Sequence, residues 1–145
     1  MSARQQGYSL MELVLVIVVL AILAAIAIPQ FDLRTANAAW YHEQVRSGVR
    51  YAQRAAVAQR RCVFVTVSGT QVALFYGDAS CVITATPLTQ LANGQNYVLP
   101  VPSGVSVSAA PGTFGFNGLG QPSSAATVTV GSRTITVNAE TGYVQ

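Results

Sequence analysis

The chain has 145 residues, enough for one domain and an appended segment. Apolar residues make up 51% and charged residues only 9%, far below the usual quarter of a soluble domain. The net charge of +3, carried by 8 arginines with no lysine, falls to +2 without Arg4; such a balance does not call for nucleic acid.

Leu10 to Ile28 is 19 residues with Glu12 as its only charge, and Leu13–Ile28 holds no polar residue at all. At ~1.5 Å per residue the run spans roughly 28 Å, near the ~30 Å of a hydrocarbon core. A transmembrane helix would keep Arg4 and the amino terminus on the cytoplasmic side. A secretory signal peptide is the second reading, with Arg4 as n-region and Ala25-Ile26-Ala27 as the cleavage site; Glu12 stands against it, where an h-region should begin. A buried helix in a soluble core is the third, and would need a larger domain than the remaining chain provides. An ionised carboxylate deep in a bilayer costs roughly 2.5–3.5 kcal/mol on insertion scales, so Glu12 needs a reason. Pro29 removes the helical bond to the Ala25 carbonyl, marking either a kink where a helix leaves the bilayer or its end.

Helical spacing resumes beyond Pro29. Val45, Val49, Ala52 and Ala56 form one apolar stripe, with Gly48 as a weak point. Together with the apolar run this predicts a helix of about fifty residues, several times the globular average, whose second half packs on a sheet. Arg46, Arg50 and Arg54 recur on a neighbouring face, and with Arg60 and Arg61 are candidates to grip phosphates. A solvated face or a set of inter-subunit ion pairs is the more ordinary reading. His42 has no second His or Cys at ligand spacing, so no metal site is expected. Nor does His42 with Asp32 or Asp78 and a serine make a triad, because no nucleophile-elbow motif accompanies them.

Beyond residue 61 Val, Thr, Ser, Gly and Ala dominate. CVFVTV (62–67) and QVALFY (71–76), separated by Ser68-Gly69-Thr70, read as a hairpin, and CVIT follows from Cys81. Further strand candidates are Tyr97–Leu99, Val105–Ser108, Thr113–Phe116, Thr127–Val130 and Thr134–Val137. Asn93-Gly94 and Asn117-Gly118 mark turns, as does Gly131-Ser132-Arg133, in which Arg133 is the solvated residue. If the chain leaves the cytoplasm, Cys62 and Cys81 form a disulfide enclosing the first hairpin, contributing about 3 kcal/mol; two buried free thiols are the alternative. Gly118–Gly120 precedes Gln121-Pro122 and no helix, so it is not a dinucleotide signal, and no cofactor is expected.

GYSLMELVLVIVVLAILAAIAIP resembles the N-terminus of the type IV pilin and type II secretion pseudopilin superfamily: a short basic leader ending in Gly7, an aromatic Tyr8 (where Phe is usual), Glu12 four positions on, the apolar stretch and Pro29. The resemblance implies that prepilin peptidase cuts between Gly7 and Tyr8 and methylates the new Tyr8 amine. It also gives Glu12 a role in assembly: its carboxylate neutralises the Tyr8 amine of a neighbouring subunit, since a buried pair is tolerable where a lone charge is not. A Glu merely tolerated near the interface is the plainer alternative.

TFGFNGLGQPSSAATVTVGSRTITVNAETGYV looks like the terminal region of H-type pseudopilins and FimT-like minor pilins, and RYAQRAAVAQRRCVFV resembles minor pilins of the mannose-sensitive haemagglutinin type. Some FimT-like members implicated in DNA uptake carry Gly-Arg-x-Arg near the end; Gly142-Tyr143-Val144-Gln145 lacks those arginines.

The expectation is an α+β chain: a leader at 1–7, a transmembrane and assembly helix at 8–29, an amphipathic second half at 30–61 and an antiparallel β domain at 62–145. It would be a minor pilin or pseudopilin and not an enzyme, priming assembly or sitting at a tip. Its partners would be other pilins, prepilin peptidase, an inner-membrane assembly platform and, before assembly, lipid. It would sit in the inner membrane with the β domain in the periplasm, then in a pilus or pseudopilus. A DNA-binding pilin using Arg46, Arg50 and Arg54, or a soluble secreted β protein, are the competing classes.

Overall fold

The computed structural model describes residues 9–27, 33–91 and 93–145. They fall into two compact units, Met1–Leu33 and Arg34–Gln145. The first contributes helix α1 (Leu10–Ala27). Helix α2 (Leu33–Gln59) opens the second unit, apart from its first residue, and eight strands follow.

The α2 stripe is buried as its spacing predicts. Val45, Val49, Ala52 and Ala56 are fully buried, joined one turn earlier by Tyr41. Gly48 has a purpose the helical pattern does not disclose: a Cβ there would lie 3.1 Å from the Tyr97 hydroxyl, so glycine admits that ring. The Tyr97 ring in turn stacks on Tyr51 with centroids 5.2 Å apart. Helix α2 ends with Arg60 at φ 50, while Arg60 N donates to Val57 O and Arg61 N to Ala56 O. That is a Schellman cap with arginine in the left-handed position glycine usually takes.

β1 (Val63–Val67) and β2 (Gln71–Gly77) form the expected hairpin, registered from Val63↔Tyr76 to Val67↔Val72. The other edge of β2 is covered in two pieces: β3 (Ile83–Pro87) along its end and β4 (Val98–Pro100) along its start. β6 (Thr113–Phe116) pairs with β1 and completes a five-stranded antiparallel sheet. β5 (Val107–Ala110), β7 (Ala126–Val130) and β8 (Arg133–Val137) make a separate three-stranded sheet in the order β5-β7-β8. A single core joins α2 to both sheets, including Val65, Leu74, Phe114 and Phe116 of one and Val128, Val130 and Ile135 of the other. At roughly 1.5–3 kcal/mol for each fully buried large apolar side chain, this core dominates stability.

The structure corrects several local expectations. The β domain holds two sheets, because β5 leaves β6 at Pro111 and pairs with β7 instead. The Val105–Ser108 strand sits two residues later, where Val107 finds Val130. Arg133 is exposed but belongs to β8, paired with Val130, and the turn is Gly131-Ser132. Cys81 lies in a turn at φ 55, two residues before β3.

The free edge of β8 is capped. Thr136 exchanges hydrogen bonds with Gln145, and the Thr134 carbonyl lies 3.4 Å from His42 Nε2 on α2. A paired edge of this kind does not invite other strands.

Tyr41 makes the fold sensitive to alkali. Its hydroxyl donates to Leu99 O at 2.9 Å, and burial pushes its pKa up to about 12. Below pH ~10 the phenol is neutral in both folded and unfolded chains and contributes no pH dependence. Between pH 10 and 12 the unfolded chain loses the proton first, so stability falls as pH rises, by at most about 1.4 kcal/mol per pH unit. Burial and Tyr51 shift Tyr97 in the same direction. Urea midpoints from pH 9 to pH 11.5 should therefore fall, and Tyr41→Phe should flatten the decline without abolishing it. An unchanged decline in that variant would contradict this assignment.

Candidate functional site

Helix α1 begins where Ser9 O accepts from Glu12 N at 2.9 Å and Leu13 N at 3.2 Å. Glu12 stands in the first turn, where a carboxylate also opposes the positive end of the helix dipole, worth about 0.3–1 kcal/mol. The rest of the described surface of α1 is apolar on every side. Leu10 is 80% exposed, and Leu13, Leu20 and Leu23 are exposed around the helix. A helix apolar all round suits burial inside a protein assembly or in lipid.

The 18 residues of α1 cover about 27 Å of a ~30 Å hydrocarbon core. Among the described residues no helix is long and apolar enough to cross a membrane. Ile28, which ends the apolar run, lies outside them, as do Gly7 and Tyr8 of the expected cleavage site and Pro29 of the expected kink. The candidate signal-peptide site at Ala25-Ile26-Ala27 falls within α1.

Arg46, Arg50 and Arg54 of α2 do not form an open comb. Arg46 Nε sits 3.4 Å from a Glu43 carboxylate oxygen. Arg50 donates to the Val144 carbonyl at 2.9 Å, tying α2 to the C-terminal segment. Arg54 is exposed. Farther on, Arg61 donates to Gly77 O at 3.1 Å and lies 4.1 Å above the Tyr76 ring. A guanidinium committed to a carbonyl has less to offer a phosphate, and of Arg46, Arg50 and Arg54 only Arg54 lacks a partner among the described residues.

Cys62 and Cys81 are bonded, with Cα atoms 5.4 Å apart. The bridge fastens the 78–82 turn to the chain leaving α2. Asp78 Oδ1 organises that turn by accepting from Ser80 N and Val82 N. His42 is 7% exposed, placed between Glu43 and β8. Among the described residues no group of three or more His, Cys, Asp or Glu is arranged to hold a metal ion.

Sequence reasoning missed the C-terminal knot. Gln53 Nε2 donates to Gly120 O at 3.0 Å, and the Gly142 turn packs directly on that carbonyl. The only local signal was the pair of glycines in turn-rich surroundings, which carries no information about their partner.

Residues 2–28 match the family described as the prokaryotic N-terminal methylation motif. No curated protein matches the chain in sequence. Among solved structures, the type IV minor pilin FimU of Pseudomonas aeruginosa is similar in two crystal forms. One aligns at 17% identity and TM-score 0.55 over 77% of this chain and 90% of that one. The other aligns at 18% identity and TM-score 0.54 over 77% and 85%. At such identity the likeness is one of fold. The chain thus carries a prokaryotic N-terminal methylation motif at residues 2–28 and shares an α+β, pilin-like fold with a type IV minor pilin.

Proposed function

We propose that the chain is a minor pilin or pseudopilin, a filament subunit that primes assembly or sits at the tip. Prepilin peptidase cuts it between Gly7 and Tyr8 and methylates the Tyr8 amine. Residues 8–29 hold it in the inner membrane, β domain in the periplasm, until an assembly platform passes it into a pilus or secretion pseudopilus. The observation that carries this reading is the apolar surface all round α1, broken only by Glu12 in its first turn. Such a helix exchanges lipid for other helices without loss, and one carboxylate sets the register by meeting one amine. An uncompensated buried charge costs about 3–5 kcal/mol when its partner is removed, enough to decide whether a subunit joins.

Glu12→Ala should therefore enter filaments at least tenfold less efficiently than the parent, with unchanged membrane levels and unchanged cleavage. Mass spectrometry of the mature chain should find N-methyl-Tyr8 as its first residue. Ile28 in that position, or parental incorporation of Glu12→Ala where incorporation is limiting, would defeat the proposal.

A further inference from the structure

We propose that β8 and the turn after it form a binding site for a neutral, hydroxylated ligand of the saccharide class. The site is a shallow cleft of about 570 Å³ lined by Thr136, Val137, Asn138, Thr141, Tyr143 and Gln145.

Tyr143 is its centre. The ring is 60% exposed, yet its backbone is tied on both sides. Tyr143 O accepts from Asn138 N at 2.9 Å, and Tyr143 N donates to Thr141 Oγ1 at 3.2 Å. The next residue, Val144, is buried, bridges to Val137 and accepts from Arg50. A large apolar face is thus presented to solvent from fixed backbone, so little backbone ordering remains to oppose binding.

Polar groups with free capacity surround the ring. Asn138 Oδ1 accepts from Glu140 N, Thr141 N and the Thr141 hydroxyl. Those bonds fix the amide orientation and leave Nδ2 as a donor. Among the described residues the Tyr143 hydroxyl and the Gln145 side-chain amide also make no hydrogen bond within the chain.

A sugar ring matches this pattern. One face is lined with C–H groups that pack on an aromatic ring, and its rim of hydroxyls both donates and accepts. No charged side chain lines the cleft, and Arg50 beneath it is committed to the Val144 carbonyl. A phosphate or carboxylate ligand would meet no side-chain counter-charge, which favours a neutral ligand over an anionic one. The site is independent of the filament reading, since neither Glu12 nor α1 contributes to it.

The full chain in a zwitterionic detergent free of sugar headgroups should be tested on an array of neutral, sialylated and sulfated oligosaccharides. Retention is expected on neutral members, with dissociation constants of about 0.1–1 mM by titration with the free sugar. Tyr143→Ala should weaken it at least tenfold with an unchanged melting temperature, whereas Tyr143→Phe, which keeps the stacking face, should stay within about threefold. If Tyr143→Ala disturbs the fold, Gln145→Ala decides: weaker binding supports the site and parental binding overturns it. Absence of retention on every neutral member, preference for the charged members, or parental binding by a folded Tyr143→Ala would each overturn the proposal.

Discussion

Replacing Cys62 and Cys81 by serine should lower the unfolding free energy by about 3 kcal/mol, from a loop closed over a sequence separation of 19. The 78–82 turn does not need the bridge for its own shape, because Asp78 bonds Ser80, Val82 and, through its carbonyl, Cys81 N. The bridge instead ties that turn to the exit of α2, where Cys62 O also accepts from Gly77 N at 2.8 Å. With a urea slope of about 1–3 kcal/mol/M for a small domain, the midpoint should drop by roughly 1–3 M. The two single variants should each lose about as much as the double variant, because either removes the same bond. Hydrogen exchange should accelerate at β2 and β3 before it does in β7 and β8. A double variant within about 0.5 kcal/mol of the parent, the ordinary scatter for surface changes, would show that the hairpin and cap suffice without it.

What could be read from the residues follows from how far each determining contact lies along the chain. Val45, Val49, Ala52 and Ala56 declare a buried helical face through spacing alone. The β1–β2 hairpin is likewise written in adjacent residues. The N-terminal methylation motif is legible for the same reason, since the pattern that matches over residues 2–28 is set by short-range spacing.

The division into two sheets is different in kind. Nothing in Val107–Ala110 says that it will join Ala126–Val130 while its neighbour Thr113–Phe116 joins Val63–Val67. Strands with hydroxyl-rich, alternating patterns suit either sheet, and the choice is made by which core face each Val or Phe fills. Arg50 shows the same limit in the candidate site. Its spacing from Arg46 and Arg54 suggested a shared face with a shared task, but its partner is a carbonyl 94 positions away. Gly48, apparently a helix weakness, answers to Tyr97 across the fold.

Gly142→Ala is expected to destabilise the β unit by about 2–5 kcal/mol. Gly142 has φ 69, a conformation that costs an L-residue roughly 1–2 kcal/mol. A Cβ there would also collide with the Gly120 carbonyl oxygen and lie 2.6 Å from Gln53 Nε2, two groups that already bond each other. Overpacking of this sort costs about 1–3 kcal/mol. The Gly120 loop has little freedom to yield, because Gly120 N donates to Asn117 O and Asn117 Oδ1 accepts from Leu119 N and Gln121 N. Relief must come from the 138–142 turn, and moving that turn draws Val144 away from Val137 and from Arg50. Gly94→Ala separates the two contributions. Gly94 has φ 67, and a Cβ there would meet nothing within 4 Å, so it should lose only the conformational part, about 1–2 kcal/mol. Urea unfolding of both variants gives the difference directly. If Gly142→Ala costs no more than Gly94→Ala, the C-terminal turn is not clamped between α2 and the 117–121 loop, and Val144 must be held by its strand bridge alone.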